Sequence, residues 1–140
     1  MAIVRFFNKK NSRNEKGRYT LKRALEYITN PEKTHYWSDG LYVDAENALE
    51  RMSIVKRFYN KEDGRSYIHF TISFKGKKDK NQLYEFAEAV SYEFSDYQSL
   101  FAIHQNTRNY HIHFVINSVS VKNGKKFSQS RLDLEHFKKI

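Results

Sequence analysis

Between Tyr67 and Phe74 apolar and polar residues alternate without a break. Ile68, Phe70, Ile72 and Phe74 fall on one side, and Tyr67, His69, Thr71 and Ser73 on the other. Side chains of an extended strand point to opposite faces in turn, so this segment reads as a strand with one core face and one polar face. Residues 2–7 (Ala-Ile-Val-Arg-Phe-Phe) read as an earlier strand. The apolar run Leu100-Phe-Ala-Ile and the run from His111 onward are separated by the polar, turn-like Gln105 to Tyr110. That pattern predicts a hairpin over roughly 99–105 and 110–119. Asn123-Gly124 predicts a tight turn into a short strand over 125–128.

Helical spacing appears elsewhere. Leu21, Ala24, Leu25 and Ile28 share one face of a helix over 19–29, which Asn30-Pro31 ends because the residue before proline avoids the helical region. Ala48, Met52, Val55 and Tyr59 predict a second helix over 44–59, followed by a turn at Asp63-Gly64. Leu83, Phe86, Ala87, Val90 and Phe94 predict a third over 79–94, and 132–140 reads as a last one. Residues 8–17, rich in Lys, Asn and Ser, read as an exposed loop. There is no internal repeat, low-complexity tract or linker. The expectation is an α+β fold: a mainly antiparallel sheet of about five strands, with helices packed mainly on one face.

A length of 140 residues suits one domain with a real core. The absence of Cys excludes disulfides and thiolate chemistry. No apolar run is long enough for a membrane helix, and the first residues lack a signal-peptide core, so no membrane insertion and a cytoplasmic location are expected. Lys and Arg number 25 against 16 acidic residues, a formal charge of +9. With 10 Tyr and 11 Phe, the composition is compatible with a polyanion partner whose exposed bases could stack on aromatic rings.

The most informative cluster is His104, His111 and His113. His111 and His113 are two apart in a strand and so share a face, and the hairpin folds His104 back beside them. Three convergent imidazoles suit a metal such as Zn, Mn, Fe, Ni or Cu. Three neutral ligands leave the ion's charge uncompensated, which favours an anionic substrate such as a phosphodiester. His69, on the polar face of a neighbouring strand, is a candidate to support a ligand or touch substrate; a half-buried sheet histidine is the plainer alternative. His35 and His136 read as surface residues.

Phosphodiester cleavage needs a nucleophile, which without Cys must be water, Ser or Thr, or Tyr. All ten tyrosines lie at or before Tyr110, so a catalytic tyrosine would precede the His111–His113 strand. Tyr27 falls about one residue out of register with Leu21, Ala24 and Ile28 and need not be core. Tyr19, at the start of the same helix beside Arg18, is its rival, and the residues alone do not separate the two.

His111-Ile-His-Phe-Val-Ile-Asn, with His104 seven residues earlier, resembles the third motif of the HUH relaxases, the mobilization nucleases of the MobA/VirD2 type. Ala24-Leu-Glu-Tyr27-Ile-Thr-Asn-Pro-Glu-Lys-Thr resembles their first motif, whose tyrosine is the nucleophile, and Tyr67-Ile-His-Phe-Thr-Ile-Ser-Phe resembles the strand between them. Order and spacing agree over essentially the whole chain, taken as one nuclease domain. The resemblance implies a central antiparallel sheet with the His strands in its middle and the tyrosine helix nearby. In replication initiators and small transposases of the same superfamily the tyrosine follows the His pair; here none does. Two departures stand out. Asn106 occupies a position where such relaxases often carry Asp, and relaxases are commonly longer. The chain ends inside a predicted helix, which fits either a domain trimmed at its C-terminus or a minimal protein.

The resemblance further implies a mechanism. His104, His111 and His113 would hold a divalent ion, Mn²⁺ or Mg²⁺ in use, with Zn²⁺, Ni²⁺ or Co²⁺ as substitutes in vitro. Tyr27 would attack one phosphate of single-stranded or hairpin DNA at a transfer origin, giving a free 3′-hydroxyl and a 5′-phosphotyrosyl link. His69, Asn106 and Asn117 become candidates to support the ligands or meet substrate. Arg18, Lys22, Arg23, Lys33, Arg108, Lys125, Lys126 and Arg131 become candidate DNA contacts. Accessory mobilization proteins and a coupling protein are the further partners implied. The alternatives are a non-catalytic single-stranded nucleic-acid-binding module on the same fold, and a metallohydrolase that activates water.

Overall fold

The structure, a computed structural model, describes residues 2–7, 17–34, 37–76 and 78–128, with the side chains of residues 17–19 left out of the description. Of the loop expected over 8–17, Gly17 instead opens a helix; residues 8–16, His35, the final helix over 132–140, Arg131 and His136 lie outside the described residues. Elements follow in the order β1 (Ala2–Phe6), α1 (Gly17–Ile28), α2 (Pro31–Thr34), β2 (Ser38–Leu41) and α3 (Ala48–Phe58). Then come β3 (Tyr67–Phe74), α4 (Lys80–Tyr92), β4 (Ser99–His104) and β5 (His111–Asn117). The strands form one sheet in the order β1-β3-β5-β4-β2, and every neighbouring pair is antiparallel.

The alternation in β3 is met by a matching alternation in its partners. Phe70 lies opposite Phe114 and Phe114 opposite Phe101, so the three rings share one face of the sheet. Phe70 and Phe114 stack with centroids 4.8 Å apart and planes 12° apart. Ile68, Ile72, Ile103, Ile112 and Ile116 complete this face, and Leu83, Ala87, Val90 and Phe94 of α4 and its C-terminal turn close over it. On the opposite face Leu100, Ala102 and Val115 pack against Leu21, Ala24, Leu25 and Ile28 of α1 and Ala48 and Met52 of α3. The expected α+β architecture is therefore observed; α1 and α3 share the face that carries the histidines, and α4 covers the other.

Local chemistry sets the helix ends. The Asp79 side chain accepts the Gln82 N–H at 3.1 Å and caps α4. α3 starts at Ala48 rather than near Asp44, because Asp44 and Asn47 form a reciprocal turn: Asp44 Oδ1 accepts from the Glu46 and Asn47 amides, and Asn47 Oδ1 accepts from the Asp44 amide.

The fifth strand is not where the sequence puts it. Residues 125–128 contribute only an isolated bridge between Val119 and Lys126. Instead Ser38–Leu41 pairs with β4 at the sheet edge. This segment, Ser-Asp-Gly-Leu, has no alternation and low strand propensity, so nothing local announced it. Gly40 permits the pairing: a Cβ there would lie 2.5 Å from the Ser99 carbonyl oxygen and 2.6 Å from that of Val43. The one-turn helix α2 was likewise not anticipated.

Phe114 is fully buried between two aromatic neighbours on the central strand. Phe114→Ala is expected to lower stability by about 3–5 kcal/mol, read as a shift of the urea midpoint at unchanged slope.

Candidate metal centre

The β4–β5 pairing places His104 directly opposite His111, and His113 two residues farther along opposite Ala102. All three project from the face that α1 covers. One nitrogen from each lies within 4.8 Å of the others. The hairpin is anchored from β3: the Phe74 amide donates to the Tyr110 carbonyl at 3.0 Å, and the Gly76 amide donates to Asn109 Oδ1 at 2.8 Å.

The hydrogen bonds of the other ring nitrogens decide which atoms remain for a metal. His104 Nε2 lies 2.8 Å from the Ile28 carbonyl oxygen, to which it can only donate, leaving Nδ1. His111 Nδ1 faces the Asn109 carbonyl at 3.3 Å, leaving Nε2. His113 Nδ1 is 2.8 Å from His69 Nε2; when Nδ1–H of His113 is the donor, its Nε2 is free. His69 is thus bonded to one ring of the cluster, while Ile28, the last residue of α1, ties that helix to His104.

Burial keeps the imidazoles neutral. It lowers His104 from the ordinary 6.5 to about 4, with His111 and Lys33 adding repulsion. It lowers His69 to about 4 as well, with His104 contributing. His113 is pushed further down, by burial first and then by the surrounding histidines and Lys33. His111 is lowered by burial and Lys33, against the opposing effect of its bond to Asn109. Neutral imidazole is the form that binds metal, so the donor set fits a divalent ion without prior loss of protons.

Tyr27, in the last turn of α1, lies over this cluster. Its ring centroid is 5.5 Å from that of His113, 6.1 Å from His104 and 6.2 Å from His69, and the residue is 43% exposed. Lys33, carried by α2, holds its ammonium 4.4 Å from the Tyr27 ring centroid. Tyr19 is in the first turn of α1, eight residues before Tyr27, which is roughly 12 Å of helix rise.

Not every sequence candidate converges here. Asn117 is six residues from His111 at the other end of β5, roughly 20 Å away. It is buried in a structural network, accepting from Lys56 and donating to the Met52 carbonyl at 3.2 Å and to Gln98 at 2.9 Å. Lys126 donates to the Asp63 and Arg65 carbonyls, and both it and the exposed Lys125 belong to that distal end, where Phe127 bonds to Ser118. Asn106 and Arg108 are exposed in the hairpin turn, and no histidine bond described above involves Asn106. Lys22 is exposed and pairs with Glu26 at 3.6 Å. Arg23 faces the hollow beside Tyr27. Arg18 is in the first turn of α1.

Phe7 is the participant that sequence reading missed. Its ring stacks on His69, with centroids 3.9 Å apart and planes 16° apart. Only the β1–β3 register, with Ile3 and Arg5 opposite Ser73 and Thr71, reveals that odd-numbered β1 residues share the histidine face.

The sign of the pH dependence follows. From 6.5 down to about 4 the unfolded chain takes up protons that these buried imidazoles refuse, so their stability contribution is fully present above 6.5 and lost on acidification. The melting temperature of metal-free protein is expected to fall between pH 7 and about 4. A His69→Gln variant should show a shallower fall in the same calorimetric titration.

Among the described residues no helix is long and apolar enough to cross a membrane. A protein-family model for relaxases, the MobA/VirD2-like nuclease domain, matches residues 27–140. The chain is also similar to the protein named rlx of Staphylococcus aureus, 31% identical over 122 residues that cover 84% of this chain and 37% of the relative. The chain thus spans little more than a third of that relative's length. From Tyr27 through the paired histidine strands, the matched region contains the whole cluster, and the chain belongs to the MobA/VirD2-like relaxase nuclease family.

Proposed function

We propose that this domain nicks one DNA strand at a transfer origin by transesterification, with Tyr27 as nucleophile and His104, His111 and His113 as metal ligands. The observation that carries the reading is the Tyr27 ring set 5.5–6.2 Å from three of the buried imidazoles. His104, His111 and His113 would hold a divalent ion, Mn²⁺ or Mg²⁺ in use, which would supply positive charge to the scissile phosphate. The Tyr27 oxygen forms a bond to phosphorus as the bond to the 3′ oxygen breaks. The phenol loses its proton, the departing 3′ oxygen gains one, and the 5′ phosphate stays on the tyrosine. One phosphoester replaces another, so the strand can be rejoined.

The chain's own residues prepare this step. His69 orients His113, and the α1 carboxyl end orients His104. Lys33 brings a positive charge beside both Tyr27 and the histidines, suited to a phosphate oxygen. Arg23 and Arg108, with Lys22 and Arg18 along α1, are the proposed backbone contacts. Single-stranded or hairpin DNA is the substrate, and accessory mobilization proteins and a coupling protein are its partners.

Incubation with Mn²⁺ and labelled single-stranded oligonucleotides tiling the transfer origin should give an adduct that survives SDS. Tyr27→Phe is expected to abolish it; an adduct that persists transfers the role to Tyr19 or another residue. His111→Ala should lose metal uptake by calorimetry and at least about 100-fold in cleavage while still binding DNA. The Asn106 side chain, in place of a carboxylate, favours a second reading as a non-catalytic binding module. That reading predicts tight oligonucleotide binding with neither metal uptake nor adduct.

A further inference from the structure

Phe7 leaves the edge strand β1 with its amide bonded to the His69 carbonyl at 2.8 Å. Its ring is held on His69, which is held in turn by His113. It meets the His113 ring in a T-shaped arrangement, with centroids 5.5 Å apart and planes 65° apart. The residue is 36% exposed, and no strand flanks β1 on its outer side among the described residues.

Two hollows open at this ring. The larger, about 520 Å³, is lined among the described residues by Thr20, Arg23, Tyr67 and His69 together with Phe7 and Tyr27. The smaller, about 290 Å³, is bounded by Arg5, Thr71, Ser73 and His113, again with Phe7 and Tyr27. Phe7 and Tyr27 are thus shared by both. Each hollow offers an arginine for a phosphate, hydroxyls for sugar or base edges, and the Phe7 ring for a planar group.

We propose that the two hollows seat the nucleotides on either side of the phosphate at Tyr27, with Phe7 as the stacking platform for a base. The proposal rests on the nicking reading for what lies at Tyr27. A ring already stacked on a hydrogen-bonded histidine loses little freedom when a base adds to it, which favours binding. Stacking accepts any base, so the platform contributes affinity and position rather than sequence choice. Arg5 then serves one hollow and Arg23 the other, one for each flank of the strand.

The test uses the full chain in EDTA with a fluorescein-labelled oligothymidylate about 20 nucleotides long, followed by anisotropy. Phe7→Ala is expected to bind roughly tenfold or more weakly than wild type. Phe7→Trp should keep wild-type affinity, and the introduced indole should be quenched by unlabelled oligothymidylate beyond any change shown by Trp37, the single native tryptophan. Circular dichroism melts confirm that both variants are folded. Unchanged affinity in Phe7→Ala, an unquenched indole in Phe7→Trp, or no binding by wild type would each overturn the proposal. Adduct formation is scored separately with Mn²⁺. Absence of adduct with the expected Phe7 effects defeats nicking and leaves the seats; adduct with unaltered Phe7→Ala binding defeats the seats alone.

Discussion

The register of β5 between its two neighbours is the constraint from which the histidine cluster, both cores and the Tyr27 contact follow. β5 is bonded to β3 on one side and β4 on the other, so its position is fixed twice. A slip of one residue would turn His111 and His113 into the aromatic core and expose Phe114 to the polar face. The stack of Phe70 on Phe114, with Phe101 beyond, opposes such a slip, because large rings in a close-packed core cannot exchange places with imidazoles. The apolar face therefore positions the polar one. A mutation in the phenylalanine layer should be felt at the histidine cluster without touching it.

Burial gives the histidine face its chemical character. Imidazoles kept from water and close to one another resist protonation, and Lys33 adds to that resistance from the side of Tyr27. The result is a concentrated set of neutral nitrogen donors in a basic protein. Two of those donors are oriented by backbone carbonyls and one by His69, so the arrangement needs no carboxylate at Asn106 to hold the rings. What is lost without that carboxylate is its negative charge, and with it part of the electrostatic attraction for a cation.

The opposite end of the same face shows how similar residues serve structure. Lys56 is buried against Asn117, and desolvation, with repulsion from Lys126, lowers its pKa to about 7. Asn117 also gathers the Met52 carbonyl and Gln98, satisfying groups that would otherwise be buried without partners. Polar residues on a sheet face are thus not interchangeable as site candidates. Distance along the strand separates Asn117 from the histidine cluster although the two belong to one motif.

The sequence by itself determined the long elements and the nucleus of the site. Period-two alternation revealed β3, helical spacing revealed α1, α3 and α4, and the spacing of His111 and His113 fixed their common face. These are local properties, set by backbone geometry over a few residues. The tertiary structure alone decided that Ser38–Leu41 is the fifth strand, since its pairing depends on Gly40 fitting against β4 rather than on its own pattern. It also set Tyr27 over the cluster, with Tyr19 at the far end of the same helix, put Asn117 at the other end of β5 and brought Phe7 onto His69. Each of those outcomes depends on which strands lie side by side and how far along them a residue falls, and such long-range register leaves no mark in the local order of residues.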